Sequence, residues 1–424
     1  MSRREDETKM LMRNDEDDNI GSSSPRRSAL ETLLAFAQLG LTSFGGPIAH
    51  IGYFRAEFVE RRKWLSETAF ADFVALCQFL PGPASSQLGF ILGMSRAGLL
   101  GGFSAWLGFT LPSAITLVLF AYGVSQLGDV AHLPWLHGLA IVAVAVVAQA
   151  VWGMAQSLCP DRERATIALA AMILTLALPS AAGQIGAIVG GGLIGWLLLP
   201  QRATPASSPI STGFIGRRAG LASLALFVIV LIGAPILAAT TGEHWLALFA
   251  AFYRSGALVF GGGHVVLPLL QQAVTPPGWI GPDAFLAGYA AAQAVPGPLF
   301  TFAAFLGAAM REPPNGWEGA ILCLVAIYLP SLLLLLGVLP FWDAVRGRSA
   351  MRAALAGVNA AVVGILTGAL YTPVWTSAIF SAADFCLAAA AYLLLVFWRA
   401  PPWIVVLFGA LGAAAIDSFG RSLT

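Results

Sequence analysis

The sequence predicts an all-α polytopic membrane protein, built as an inverted structural repeat around broken or re-entrant helices. Three observations carry this reading. The 424 residues are 58% hydrophobic and only 11% charged, against about 25% charged in an ordinary soluble domain. About 13 apolar segments, most of bilayer-spanning length, follow one another along the chain. A set of Gly- and Pro-rich motifs also occurs twice, in the same order.

Residues 1–27 hold six of the 23 Lys and Arg and seven of the 22 Asp and Glu. With no apolar stretch they are not a cleaved signal peptide, and they predict a disordered cytoplasmic tail ending at Pro25-Arg26-Arg27. Residues 28–199 form the first repeat, with apolar segments at 28–50, 66–95, 98–123, 136–157, 165–179 and 182–199. The stretch 200–218, PQRATPASSPISTGFIGRR, is a polar cytoplasmic linker rich in Pro and Ser. Residues 219–243 supply one connecting transmembrane helix with no counterpart in the first half. Residues 244–424 form the second repeat, with segments at 244–269, 283–310, 317–340, 353–371, 377–398 and 402–419.

The duplication rests on ordered matches. Phe44-Gly45-Gly46 returns as Phe260-Gly261-Gly262, and Trp64-Leu65 as Trp279-Ile280. Ala69-Phe70 returns as Ala284-Phe285, and Leu111-Pro112-Ser113 as Leu329-Pro330-Ser331. Gln78-Phe79-Leu80-Pro81-Gly82-Pro83 returns as Gln293-Ala294-Val295-Pro296-Gly297-Pro298. The offset stays between 215 and 218 residues, which marks a repeat.

Orientation comes from the basic loops. Arg26, Arg27, Arg96, Arg162, Arg164, Arg202, Arg217, Arg218, Arg346, Arg348 and Arg352 fall on one side, whereas loops 124–135, 241–243, 270–282 and 372–376 lack Lys and Arg. The N-terminus is therefore cytoplasmic and the C-terminus outside, in a multi-pass protein of the cytoplasmic membrane. Arg55, Arg61, Arg62 and Lys63 obey the rule if segments 28–50 and 66–95 re-enter the side they left; full crossing of both leaves downstream topology unchanged. The single unpaired span turns the second copy upside down.

Broken helices in matching positions of two halves point to a transporter's central site. A break leaves backbone N–H groups unpaired at the start of the second half-helix, where they carry partial positive charge and suit an anion. The candidate binding residues are Gly45, Gly46, Gln78, Pro81, Gly82, Pro83, Ser85, Ser86 and Gln87 in the first copy. In the second they are Gly261, Gly262, Gln293, Pro296, Gly297, Pro298 and Thr301. A structural kink is the alternative use of such breaks.

Arg254 lies about ten residues into its segment, where an arginine needs a cavity or a partner. Two roles fit it: a planar fork for an oxyanion, or an ion pair with Asp72. His50 and His264 follow the FGG motifs and fit either proton transfer or interface hydrogen bonding; with Asp72 they are the proton-coupling candidates. His132, His137 and His244 read as solvated residues of outer loops. Cys77, Cys159, Cys323 and Cys386 make no CxxC pair, so no metal site is expected. No cofactor motif is present, and no basic aromatic stripe for nucleic acid.

These motifs resemble the chromate ion transporter family, of the long-chain, two-copy type. The residues that carry the resemblance are Phe44-Gly45-Gly46-Pro47 with His50, Pro81-Gly82-Pro83 between Gln78 and Gln87, and the second-copy Phe260-Gly261-Gly262-Gly263 and Pro296-Gly297-Pro298 after Gln293. It covers about residues 28–420. The resemblance implies efflux of chromate, with sulfate as the related oxyanion, driven by the proton gradient. The second copy departs at Gly263, where the first has Pro47, and at Phe302, where the first has Gln87. The alternatives are an uptake carrier or channel for the same anions, and a membrane-embedded enzyme. The last lacks HExxH, GxSxG and paired intramembrane carboxylates. No GxxxxGK[ST] motif supplies nucleotide energy. The oligomeric state is open, a homodimer being one possible assembly.

Overall fold

Proline opens the first helix, α1 (Pro25–Thr42), at a position where its missing N–H is not needed. In this computed structural model, residues 25–44, 46–126, 134–199, 215–260, 265–345 and 348–423 are described. The expected tail therefore gives way to helix at Pro25; residues 1–24 and most of the linker lie outside the described residues. Every described element is helical.

Helix α1 stops at Ser43-Phe44, and α2 (Gly46–Arg55) follows, leading into a wide turn at Ala56–Arg61. Ser66 caps α3 (Glu67–Phe79) by accepting the Ala69 N–H. The Leu80–Pro83 break separates α3 from α4 (Ala84–Gln126). Ala97 and Gly98 leave helical geometry, so α4 comprises two helices, and the chain reverses there. Gly93 and Gly101 meet across the reversal; a Cβ on Gly93 would lie 2.3 Å from the Gly101 carbonyl oxygen. The first half ends with α5 (Pro134–Leu158), α6 (Arg162–Ala177) and α7 (Ala181–Leu198).

Helix α8 (Arg217–Thr241) is the unpaired span, and its most apolar window has no buried residue, as befits a lipid-facing helix. The second half repeats the first: α9 (His244–Ala257), α10 (Val266–Val274), α11 (Pro282–Ala294), a tight turn Leu299–Thr301, and α12 (Phe302–Ala308). Then come α13 (Gly316–Val338), short α14 (Trp342–Val345), α15 (Ser349–Ala369), α16 (Ala382–Val396) and α17 (Pro402–Leu423). All four breaks predicted by Gly and Pro are present. Among the described residues, five helical stretches are long and apolar enough to cross a membrane: 84–124, 134–158, 217–241, 316–341 and 349–375.

Two contacts show that the broken segments return to the face they left. Glu31, near the start of α1, receives Arg62 at 3.4 Å and Arg96 at 3.2 Å. The start of α1, the turn after α2 and the α4 reversal therefore share one face. Trp64 lies between the same two guanidinium groups. Burial opposes the charge on neighbouring Glu57, but bonds from Arg61 and Arg62 outweigh it and hold its carboxyl below the ordinary range. In the second copy, His244 at the start of α9 meets Trp279 edge-on, and Trp279 accepts the Arg311 N–H at 3.1 Å.

The copies are interlocked. Helix α15 packs along α6 and α7 of the first copy, and α5 packs along α16 and α17 of the second. Small residues allow the close approach: a Cβ on Gly195 would lie 2.5 Å from the Ala353 carbonyl oxygen, and one on Gly138 would lie 2.3 Å from that of Gly409. Helices α5 and α15 also touch each other. This reciprocity is the packing signature of the inverted repeat.

Candidate functional site

The breaks of the two copies meet through backbone hydrogen bonds. Gly82 N–H donates to the Val259 carbonyl at 2.6 Å, and Gly297 N–H donates to the Ser43 carbonyl at 2.9 Å. Val259 and Ser43 are repeat equivalents, each just before an FGG motif. Each PGP glycine thus plugs into the other copy's helix break. Both glycines have positive φ, +121° at Gly82 and +106° at Gly297, a conformation side chains resist. Space is also absent. A Cβ on Gly82 would lie 2.5 Å from Ser331 Cβ, and one on Gly297 would lie 2.9 Å from Ser113 Oγ. The serine of each LPS motif therefore backs the glycine of the opposite PGP motif.

After Pro81, Gly82 and Pro83, helix α4 starts at Ala84. Its first-turn side chains Ser85, Ser86 and Gln87 are buried. Gln87 Nε2 donates to the Pro81 carbonyl at 2.9 Å and braces the break. Its Oε1 and Ser86 Oγ have no partner. His50 is buried beside this turn, with Nδ1 3.4 Å from Ser85 Oγ and Nε2 3.3 Å from the Ser43 carbonyl. The neutral tautomer that satisfies both carries its proton on Nε2 and accepts the Ser85 hydroxyl on Nδ1. His50 therefore touches the same carbonyl that receives Gly297.

The second copy differs in detail. Pro296, Gly297 and Pro298 lead into the Leu299–Thr301 turn, and Thr301 Oγ1 donates to the Pro298 carbonyl at 2.7 Å. Gln293 bonds the Tyr289 hydroxyl, whereas its equivalent Gln78 is exposed at the end of α3. Gly46 opens α2 with φ +77°. Gly45, Gly261, Gly262 and His264 lie outside the described residues.

Arg254 is the eleventh of the 14 residues of its helix, about ten residues in as its sequence position implied. Helix α9 ends at Ala257, so Arg254 stands in the last turn, where a cation also suits the helix dipole. Among the ion pairs of the described residues none joins it to Asp72; Asp72 sits half-buried on α3 and has a partner of its own. Arg254 lines a cavity of about 20 Å³ with Gln184, Ser255 and Gln272, room for about one water. Two of the histidines read as solvated are packed: His137 bonds Asp384 at 3.1 Å and stacks on Phe380, and His244 packs on Trp279. Both lie near chain turns, where sequence alone gave no packing partner; His132 lies outside the described residues. Among the described residues no cluster of three metal-ligating side chains occurs.

The chromate transporter family model matches residues 30–196 and again 246–414, once on each side of α8. The chain belongs to the chromate transporter family. It is 28% identical over 365 residues to the probable chromate transport protein of Synechococcus elongatus, covering 83% of this chain and 86% of that one. It is 29% identical over 354 residues to the chromate transport protein of Pseudomonas aeruginosa, covering 81% and 80%. Its identity to the chromate transport protein of Cupriavidus metallidurans is 25% over 355 residues, covering 82% and 83%. No solved structure matches the chain.

Sequence reasoning did not single out Thr110 and Tyr328, the repeat-equivalent residues three positions before the LPS serines. The LPS match itself was the available signal. It marked the duplication, and in the fold it marks where each copy touches the other's break.

Proposed function

We propose that this chromate transporter family member exports chromate, a sulfate-like tetrahedral dianion, from the cytoplasm, powered by the proton motive force. The observation that carries this reading is the reciprocal pair of bonds, Gly82 to Val259 and Gly297 to Ser43, which joins two helix breaks of opposite orientation at one place. A shared site between inverted copies is what alternating access requires. The free N–H groups at the start of α4 favour an anion there. The proposed binding set is Gly46, Pro81, Gly82, Pro83, Ser85, Ser86, Gln87, Pro296, Gly297, Pro298 and Thr301, with Gln78 and Gln293 orienting the breaks. Arg254 draws anions toward the α9 end.

Energy coupling has two parts. An inside-negative potential drives a dianion outward by about 4.6 kcal/mol per 100 mV. His50 is the proton-sensitive element. A second proton on Nδ1 removes the acceptor for the Ser85 hydroxyl, which then turns toward an anion.

In this reading the conformation is open to the cytoplasm along α3 and closed outside along α11. The basic face of Arg62 and Arg96 is cytoplasmic, and the C-terminus is outside. Radiolabelled chromate and sulfate flux in proteoliposomes tests the proposal. Chromate should leave the compartment facing the basic loops, faster when that compartment is negative or when a pH gradient is imposed, with sulfate competing. Equal flux in both directions, indifferent to potential and pH, would indicate a passive channel instead.

A further inference from the structure

Three buried hydroxyls converge near the α4 start without a well-formed bond among them, beside an indole ring whose N–H is unpaired. The Tyr328 hydroxyl on α13 faces the hydroxyls of Ser86 and Thr110 on the two halves of α4. Tyr328, Ser86 and Thr110 are 2%, 4% and 1% exposed. The three oxygens face one another without a hydrogen bond of full geometry, and Trp106 Nε1 on the neighbouring ring is unpaired. The Trp106 ring lies 5.5 Å from that of Tyr328, edge to face.

This is unusual for hydroxyls in membrane helices, which commonly bond the carbonyl one turn back. Ser113, Ser331 and Thr301 all do so here. Ser86, the repeat equivalent of Thr301, does not. Burying incompletely satisfied polar groups is unfavourable, so the cluster keeps bonding capacity for a ligand. The sign of that ligand is set by two features. Trp106 Nε1 can only donate. The first turn of α4 also offers backbone N–H groups that lie ahead of its first backbone bond, Gln87 N–H to the Pro83 carbonyl. Both call for an acceptor.

Position adds a further constraint. Thr110 and Tyr328 are equivalents in the two repeats, so their facing hydroxyls place the cluster on the axis that relates the copies. One turn along each helix, Ser113 and Ser331 back the PGP glycines. A ligand here would touch both copies at once.

We propose that Ser86, Thr110 and Tyr328, with Trp106, form the oxyanion cradle, and that it grips a tetrahedral dianion with neutral donors alone. The inference deepens the transport reading by naming the side chains that hold the anion, and it rests on that reading for the identity of the ligand. Neutral donors fit a transporter. They satisfy the anion's oxygens without the strong charge pairing that would hinder release. The cradle itself then adds no compensating charge to the anion.

The test uses purified full-length protein, with chromate and sulfate each added alone as probe. Binding is read from the concentration-dependent rise in melting temperature, and transport is read separately from flux. Tyr328→Phe removes one oxygen and keeps the ring contacts to Trp106 and Phe300. It should weaken apparent chromate affinity about tenfold or more, and Thr110→Val should act in the same direction. Tyr253→Phe is the matched control, because its hydroxyl already bonds the Phe227 carbonyl; it should stay within about twofold of wild type. Folding is checked from the melting temperature without anion. Unchanged affinity in both Tyr328→Phe and Thr110→Val would overturn the cradle and leave a site for water only. Failure of the wild-type protein to bind either anion would overturn it as well. Binding that depends on Tyr328 without any flux would support the cradle and sink the transport reading alone.

Discussion

The two re-entrant hairpins carry the same motifs and sit in opposite surroundings. In the second copy, α11 packs against α5 and α17, and Phe285 through Ala292 are buried. In the first copy, α3 makes its main contacts with α4. Thr68, Ala71, Ala75 and Gln78 lie exposed along one α3 face. The equivalent positions Leu286 and Ala290 are fully buried. Symmetry assigns α3 the partners α15 and α7, and those contacts are not its main ones. The breaks themselves stay symmetric, since both PGP glycines hold their bonds to the other copy. The difference teaches that the central junction and the hairpin flanks are separable. The junction holds the same geometry in both copies, while the flanks are packed on one side and open on the other. Transport, in the proposed reading, exchanges the two flank arrangements around a fixed junction.

Altering the junction should have the largest effect. Gly82→Val and Gly297→Val should each abolish chromate flux, because a side chain at positive φ costs about 1–2 kcal/mol before any clash is counted. Alanine sharpens the comparison. At Gly82 the new Cβ meets the fixed Ser331 Cβ at 2.5 Å, whereas at Gly297 it meets the rotatable Ser113 Oγ at 2.9 Å. Gly82→Ala should therefore impair flux more than Gly297→Ala, at matched membrane expression. Equal, near-normal flux in both would make the breaks mere packing features.

The flanks predict a smaller and asymmetric effect. Gln293 bonds Tyr289 inside the packed hairpin, while Gln78 is exposed on the open one. Gln293→Leu should destabilise the protein by about 1 kcal/mol or more in thermal or denaturant unfolding. Gln78→Leu should leave stability within about 0.5 kcal/mol. Equal losses would mean that α3 is packed in solution as tightly as α11.

Much of this was legible in the sequence, for a physical reason. Gly and Pro break helices through backbone geometry alone, so Pro81-Gly82-Pro83 and Pro296-Gly297-Pro298 marked their breaks without tertiary context. The reversal at Gly98 was visible as a gap between two apolar segments. The depth of Arg254 along its helix was legible, but a continuous apolar run hid the end of α9 at Ala257. The hydroxyl cluster was not legible, since Ser86, Thr110 and Tyr328 are far apart in the chain and a hydroxyl's habit is to bond its own helix. The flank asymmetry was not legible either. Equivalent residues such as Ala75 and Ala290 are identical, and only packing tells them apart.

The smallest expected effect is acid weakening of the α2–α3 turn. Glu57 has a carboxyl held below its ordinary value of 4.5. Its contribution to stability is therefore complete above about pH 5 and is lost as pH falls through its lowered folded value. The melting temperature should show this acid-limb loss, and Glu57→Gln should reduce it. An unchanged acid limb in Glu57→Gln would show that the turn is held by other contacts.

The most direct test of exchange between the flanks is labelling at one equivalent pair, Ala75→Cys and Ala290→Cys, after replacing the four native cysteines. A membrane-impermeant maleimide is applied to each face of oriented vesicles. At rest, Ala75→Cys should label from the face of Arg62 and Arg96, and Ala290→Cys should not label from the other. During chromate flux under an imposed potential, labelling at Ala290→Cys should rise as that at Ala75→Cys falls. Active flux with Ala290→Cys still protected, or both sites labelling together regardless of substrate, would contradict an exchange of flanks around a fixed junction.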